Sequence, residues 1–313
     1  MKKKTFPHVS IVITNWNGLK DTRDLLDSFK KVKYPNFSLI VVDNASQINE
    51  AAILEKEYKN SFAHFKALRL DKNYGYAEGC DKGVMYAKRK FNPPYFMIMN
   101  NDLFVDPDFI TNLVSAAEAD DSLGVCAPKI YCYPETDKVW WQGPYKFHIG
   151  WRSYHTGEGG TATLRKTVKS SADDIDVVTG CCMLIKSKVI DQIGLLDPRF
   201  FLTGLDSVDY SLRANAKGFK SLCVPSAILW HKFGQAALRR NWFRQQKDAF
   251  KAMVIFYSRH GKSYQLPSLI FFYILHFLTG DVVEPAMFVL IDKEKREKFK
   301  GLVRHTIRGP TAR

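Results

Sequence analysis

The chain has 313 residues, 46 Lys and Arg against 32 Asp and Glu, and a formal net charge of +14. Hydrophobic residues make up 46% and charged residues 25%, the balance of a folded globular protein, which excludes a disordered chain, a fibrous repeat and a polytopic membrane protein. The length fits one large domain or one domain with an appendage, and the basic balance implies an anionic partner: a nucleotide, a nucleic acid or a membrane surface. The 6 cysteines include no C-x-x-C pair, and Cys181 and Cys182 are adjacent, which reads as reduced thiols and a cytoplasmic location. The basic opening, 1–4, leads into an apolar stretch too short for a secretory signal core, so no signal is expected.

Residues 9–14 (VSIVIT) are an apolar, β-branched run and read as a buried strand, followed by an Asn17-Gly18 turn. Leu25, Leu26 and Phe29 give 21–31 a helical spacing. A second buried strand, 39–42, ends at Asp43-Asn44; 53–62 reads as a helix and 65–70 as a third strand. After the Asn73-Tyr74-Gly75 turn, 77–90 reads as a helix closed by Asn92-Pro93-Pro94. Residues 95–99 (YFMIM) form a fourth buried strand ending at Asn100-Asn101-Asp102, and 107–120 the next helix. This alternation predicts an α/β fold with a mostly parallel sheet covered by helices. Ligands then bind beyond the carboxyl ends of the strands, where Asn15, Asn17, Asp43, Asn44, Asn100 and Asp102 should converge.

Further along, 125–131, 177–185 and 221–229 read as strands, and 133–169 as loops or short antiparallel strands. Residues 188–193 form a helix capped by Gly194, and 207–217 an amphipathic helix capped by Gly218. After His231 the character changes to a long basic helix at 241–259, an apolar run at 269–278 and a charged tail. That run falls well short of the roughly 18 continuous apolar residues a bilayer span needs.

Several polar positions carry two readings. Asp43, at a strand end, either accepts hydrogen bonds from a nucleobase or ribose or caps the next helix. Asn100 and Asp102, two residues apart, either hold a hard divalent cation together with diphosphate oxygens or form a polar turn. Asp206 and Asp209 flank a helix start: Asp206 is a cap or a general base facing the crevice, and Asp209 lies one turn before Arg213 and can pair with it. His231 is a structural residue or completes a metal site built from Asp102. The first strand is followed by Asn15-Trp16-Asn17-Gly18 rather than G-x-G-x-x-G, and P-loop, G-x-S-x-G and zinc-ligand spacings are absent from the sequence.

The order of motifs resembles the family 2 glycosyltransferases, inverting nucleotide-sugar enzymes of the GT-A fold, and most of all their rhamnosyl- and galactofuranosyl-transferase-like branch. The likeness covers about 8–260 and rests on VSIVITNWNG at 9–18, LIVVDNAS at 39–46, KNYGYAEGCDKG at 72–83 and MIMNNDLFVDPDFI at 97–110. It continues with VTGCCMLIKSKVIDQIGLLDPRFFL at 178–202, DSVDYSLRANAKG at 206–218 and WHKFG at 230–234. The resemblance implies a GT-A catalytic domain over 1–235 and a basic, partly apolar helical extension over 236–313. It implies that Asp43 binds the base or ribose, with Thr14 and Asn15 lining that pocket, and that Asn73, Gly75 and Ala77 lie near the base and diphosphate. Asn100 and Asn101 would assist donor binding, Asp102 would be the main ligand of a manganese or magnesium ion, and His231 a further ligand. Gly180 would let a sugar approach the backbone closely.

One departure bears on catalysis. Counting back from Arg213 places Ser207 where the family carries its base carboxylate, and a one-residue shift places Asp206 there. Asp206 is therefore taken as the base and Asp209 as the reserve. The implied donor is a UDP- or dTDP-sugar, and the acceptor a hydroxyl of a glycan or lipid-linked acceptor in cell-surface polysaccharide or glycoconjugate synthesis. The alternative is a degenerate member that acts as a sugar-nucleotide-binding or scaffold subunit. Arg239, Arg240, Arg244, Lys247 and Lys251 precede the apolar run and further Lys and Arg follow it, a pattern that suits peripheral contact with an anionic membrane, or a solvated basic helix. A nucleic-acid partner is not expected, because the basic residues gather beside apolar rather than base-stacking sequence. A nucleotidyltransferase should carry a Gly-rich basic loop after the first strand, which 15–18 does not supply.

Overall fold

The computed structural model describes residues 6–142, 174–175, 177–200, 205–232, 242–261 and 267. β1 (Val9–Asn15), β2 (Phe37–Asp43) and β4 (Tyr95–Asn100) are buried almost throughout, as unbroken apolar runs require of strands covered on both faces. Between them lie α1 (Leu19–Phe29), α2 (Glu50–Tyr58), β3 (Phe65–Arg69) and α3 (Gly75–Phe91). β5 (Leu103–Val105), α4 (Phe109–Ala119), β6 (Leu123–Cys132), β7 (Val139–Trp141) and β8 (Asp174–Ile175) follow. The described elements end with β9 (Cys182–Lys186), α5 (Ser187–Ile193), α6 (Leu205–Ala216), β10 (Lys220–His231) and α7 (Trp242–His260).

The main sheet runs β3-β2-β1-β4-β9-β6-β10-β5, with β7 on β6 and β8 on β10. Its β3-β2-β1-β4 half is parallel, as the strand–helix alternation predicts. Beyond β4 the pairing is mixed: β9 is antiparallel to β4 and β6, β10 is parallel to β6, and β5 is antiparallel to β10. α3 lies close on the parallel half because residue 83 is glycine; a Cβ there would come within 2.8 Å of Val42 Cγ2. Asn92 ends α3 in the left-handed conformation, and Pro93-Pro94 prevent its continuation. Gly194 and Gly218 take φ of 75° and 84°, which fits the capping roles read for them.

Three elements differ from expectation. α2 starts at Glu50 instead of 53, because the Asn49 side chain accepts the Ala52 N–H and extends the helix by a turn. The strand expected over 177–185 pairs only from Cys182. Residues 177–181 leave the sheet instead, held by Tyr76 Oη donating to Gly180 O (2.6 Å) and Val178 N donating to Ser211 Oγ (3.1 Å). β5 has no sequence expectation at all. Chain contacts group Met1–His260 as one compact unit and Gly261–Arg313 as a second. The apolar run at 269–278, the basic residues after it, Arg239, Arg240 and residues 143–169 lie outside the described residues, whereas Arg244, Lys247 and Lys251 fall on α7.

All six cysteines are free and buried, and burial pushes the Cys126 and Cys223 thiols up to about 12, so they are inert at neutral pH. Among the described residues no helix is long and apolar enough to cross a membrane.

Candidate functional site

The chain leaves β4 at Asn100, turns through Asn101-Asp102 and pairs again as β5 against the end of β10, with His231 opposite Leu103 and Trp230 opposite Phe104. This register brings Asp102 and His231 together: Asp102 Oδ1 is 3.2 Å from His231 Nε2, and the side chains are 15% and 10% exposed. Lys232 N donates to Asp102 O at 2.9 Å, and the Trp140 ring lies 4.8 Å from the imidazole. Lys232 also reaches back to α1, with Nζ 3.1 Å from Asp21 and 2.7 Å from Asp24, which ties the end of β10 to that helix. Two adjacent ligands about 2.1 Å from an octahedral cation stand about 3 Å apart, so the Asp102–His231 pair fits a hard divalent ion. Among the described residues no group of three His, Cys, Asp or Glu forms, so substrate oxygens and water would supply the other positions.

The neighbouring asparagines face inward. Asn15 is buried; its Nδ2 donates to Glu50 Oε2 (2.7 Å), and its Oδ1 accepts from Thr22 Oγ1 (2.9 Å) and Asn101 Nδ2 (3.1 Å). Asn101 Nδ2 is also 2.9 Å from Thr22 Oγ1. The side chains of Asn15 and Asn101 thus tie the β1–α1 loop to the turn after β4. Asn100 directs Nδ2 to Cys181 Sγ at 3.7 Å, and Thr14 lies between Val42 and Asn100 in the register.

Asp43 is fully buried at the end of β2. Oδ1 accepts the Ser46 N–H (2.9 Å), and Oδ2 accepts the Ala51 N–H (3.2 Å) and Arg69 Nη1 (2.8 Å). Asp43 thus pins the loop into α2 and the first turn of that helix, whose N-cap is Asn49. Asn17 crosses to the same loop, donating from N to Ser46 Oγ and accepting at Oδ1 from Gln47 N. Asn44 holds the start of α3, accepting from Tyr74 N (2.9 Å) and donating to Gly75 O (2.7 Å), while Asn73 Oδ1 accepts the Gly75 N–H (2.8 Å). Ala77, two residues after Gly75, is buried.

Asp206 and Asp209 occupy different environments. Asp206 is buried in the first turn of α6 and accepts from Ser207 N at 2.8 Å. A Cβ on Gly180 would lie 3.3 Å from Ser207 Oγ and 3.9 Å from Asp206 Oδ1, so the glycine lets the 177–181 segment pack on this turn. Asp209 is fully buried, with Oδ2 2.7 Å from Arg213 Nε and Oδ1 2.5 Å from Arg259 Nη1 and 2.8 Å from His260 Nε2. Burial by itself would raise its pKa, but the bonds from His260, Arg213 and Arg259 prevail and hold it below the ordinary carboxylate range. Arg213 also caps the carbonyls of Ile193 and Leu195, and Arg259 reaches Asp197 at 2.7 Å. Asp209 is thus a buried ionic junction between α6 and α7. The Asp209–Arg213 half was visible as an i, i+4 spacing; Arg259, His260, Glu50 and Lys232 had no signal, because their partners lie far away in sequence.

The family model described as Glycosyl transferase family 2 matches residues 10–194, more than half of the 313. The chain belongs to glycosyl transferase family 2. The matched region runs from β1 through α5 and so includes the parallel half-sheet and Asp102. The O-antigen biosynthesis protein RfbC of Myxococcus xanthus is 26% identical to this family 2 chain over 241 residues, 75% of the chain and 18% of RfbC. The low-salt glycan biosynthesis hexosyltransferase Agl10 of Haloferax volcanii is 23% identical over 211 residues, 66% of the chain and 61% of Agl10. The chain thus spans less than two thirds of the length of the curated relatives it first matches. Among solved structures, the mannosyltransferase PcManGT of Pyrobaculum calidifontis, in complex with GDP-Man and Mn2+, superposes with a TM-score of 0.56 at 15% identity. That match covers 94% of this chain and 83% of PcManGT, and the shared architecture is the GT-A fold.

Proposed function

We propose that the protein is an inverting glycosyltransferase of the rhamnosyl- and galactofuranosyl-transferase-like branch, moving a sugar from a UDP- or dTDP-linked donor to a hydroxyl of a glycan or lipid-linked acceptor. The observation that carries this is the Asp102–His231 pair, assembled at the strand ends of a family 2 chain with the spacing of two cation ligands. Asp102 and His231 would hold a manganese or magnesium ion. Bound there, the ion would neutralise charge on the departing diphosphate. Thr14, Asn100 and the Asn73–Gly75–Ala77 start of α3 line the donor pocket, and Asp43 fixes its wall through the 44–51 loop. Asp206, on the first turn of α6 beside Gly180, accepts the acceptor hydroxyl's proton as that oxygen attacks the anomeric carbon. Asp209 supports α6 from one turn behind. A role in cell-surface polysaccharide or glycoconjugate synthesis accords with the similarity to RfbC, an O-antigen biosynthesis protein, and Agl10, a low-salt glycan biosynthesis hexosyltransferase.

The test is a thermal-shift panel of UDP-, dTDP- and GDP-sugars, each with and without manganese or magnesium. A ligand that binds only the native state raises Tm by mass action. A metal-dependent shift with one nucleotide is expected; no shift with any nucleotide, in protein that melts cooperatively, would refute the donor site. Ser207, buried against Gly180 where the family carries a carboxylate, favours a second reading as a donor-binding subunit without transfer. That reading predicts the nucleotide shift but no turnover of the donor.

A further inference from the structure

Glu50 stands in the first turn of α2, 5% exposed, and no Lys or Arg pairs with it among the described residues. One of its oxygens, Oε2, accepts from Asn15 Nδ2 at 2.7 Å and from Gly18 N at 3.2 Å. An asparagine amide can turn over with almost no change of shape, so its orientation is set by what its two ends meet. Glu50 offers only acceptors, which forces the Asn15 nitrogen towards α2 and its oxygen towards β4. That oxygen accepts from Thr22 Oγ1 and Asn101 Nδ2, and Asn101 Nδ2 bonds Thr22 Oγ1 as well, closing a three-membered ring. Asn101 lies between Asn100 and Asp102. With its side chain drawn under the β1–α1 loop, the next residue is left to meet His231.

We propose that Glu50 is a positioning residue: through Asn15 and Asn101 it sets the turn that presents Asp102 to His231. The donor-and-metal reading given above is assumed for its functional consequence. Glu50→Met keeps the side-chain length and removes the acceptor; Glu50→Gln keeps an acceptor and removes the charge. Two quantities are measured on the full chain: amide hydrogen exchange of the segment spanning 97–104, and manganese affinity by electron paramagnetic resonance at saturating UDP, dTDP or GDP, whichever the panel selects. For Glu50→Met, exchange at 100–102 should be about tenfold faster and manganese binding about tenfold weaker, the scale of one lost buried hydrogen bond, while Glu50→Gln stays near wild type in both. Wild-type exchange at 100–102 in folded Glu50→Met would overturn the proposal, as would a Glu50→Gln as impaired as Glu50→Met. If Glu50→Met fails to fold, Thr22→Val opens the same ring from its other side and is judged by the same exchange. Absence of manganese binding in the wild-type chain would sink the metal reading alone, and the exchange result would still decide whether Glu50 sets the turn.

Discussion

Asp81, on α3, titrates where few carboxylates do. Burial pushes it up to about 7; Glu78 adds to the shift, while the Leu196 N–H and Arg213 oppose it. A folded pKa above the unfolded value means that the folded state holds the proton more tightly. The stability this brings is complete below the unfolded pKa and is lost as pH rises through about 7. Asp81→Asn should therefore stabilise the protein by about 1–3 kcal/mol near pH 8 and by almost nothing near pH 4, read from urea midpoints at the two pH values. An equal effect at both would show that the carboxyl is not shifted. At the same scale, Asp206→Ala should leave the nucleotide thermal shift intact and lower donor turnover by about a hundredfold or more, as expected of a general base. Full turnover in that variant would remove Asp206 from its role. Asn15 and Asn101 mark the limit of what single residues disclose. The sequence shows amides at strand ends, but their direction depends on Glu50 and Thr22, which reach them only through the fold.

The helix α6 carries Asp206, and the strand β5 begins directly after Asp102. The ionic junction at Asp209 joins α6 to α7, and removal of one partner from a buried ion pair leaves the others uncompensated. Asp209→Ala should cost about 3 kcal/mol in urea denaturation at neutral pH. Because its folded pKa is depressed, that contribution is present above the unfolded pKa and fades as pH falls through the folded value, so the penalty should shrink in acid. A penalty that persists unchanged in acid would argue for lost packing instead of lost charge. β1, β2 and β4 were legible because a continuous apolar run of strand length reports its own burial. β5 was not legible: three residues are a strand only because β10 lies alongside, and no local pattern encodes a neighbour more than 120 positions away. Yet β5 is what carries Asp102 to His231, so the motif was readable and its assembly was not. The mixed pairing beyond β4 was hidden for a related reason, since the 177–181 segment gave the same apolar signal as the strand it leads into.

For the whole molecule, the net charge of +14 is a property of surface and partners, not of fold. If the basic and apolar segment after 261 meets an anionic bilayer, the full chain should float with vesicles containing phosphatidylserine or phosphatidylglycerol. Binding should weaken sharply as salt is raised past roughly physiological strength, where the screening length falls below about 8 Å. A chain ending at Gly261 should remain in the soluble fraction. Equal flotation of both forms would locate the contact elsewhere, and no flotation of either would discard it.

The junction at Asp209 also decides where the protein can be trimmed. A division placed after 235, where the sequence changes character, would discard Arg259 and His260 and leave Asp209 with Arg213 alone of these three partners. α7 therefore closes the compact unit that Met1–His260 forms, and a fragment meant to keep this junction must run through His260.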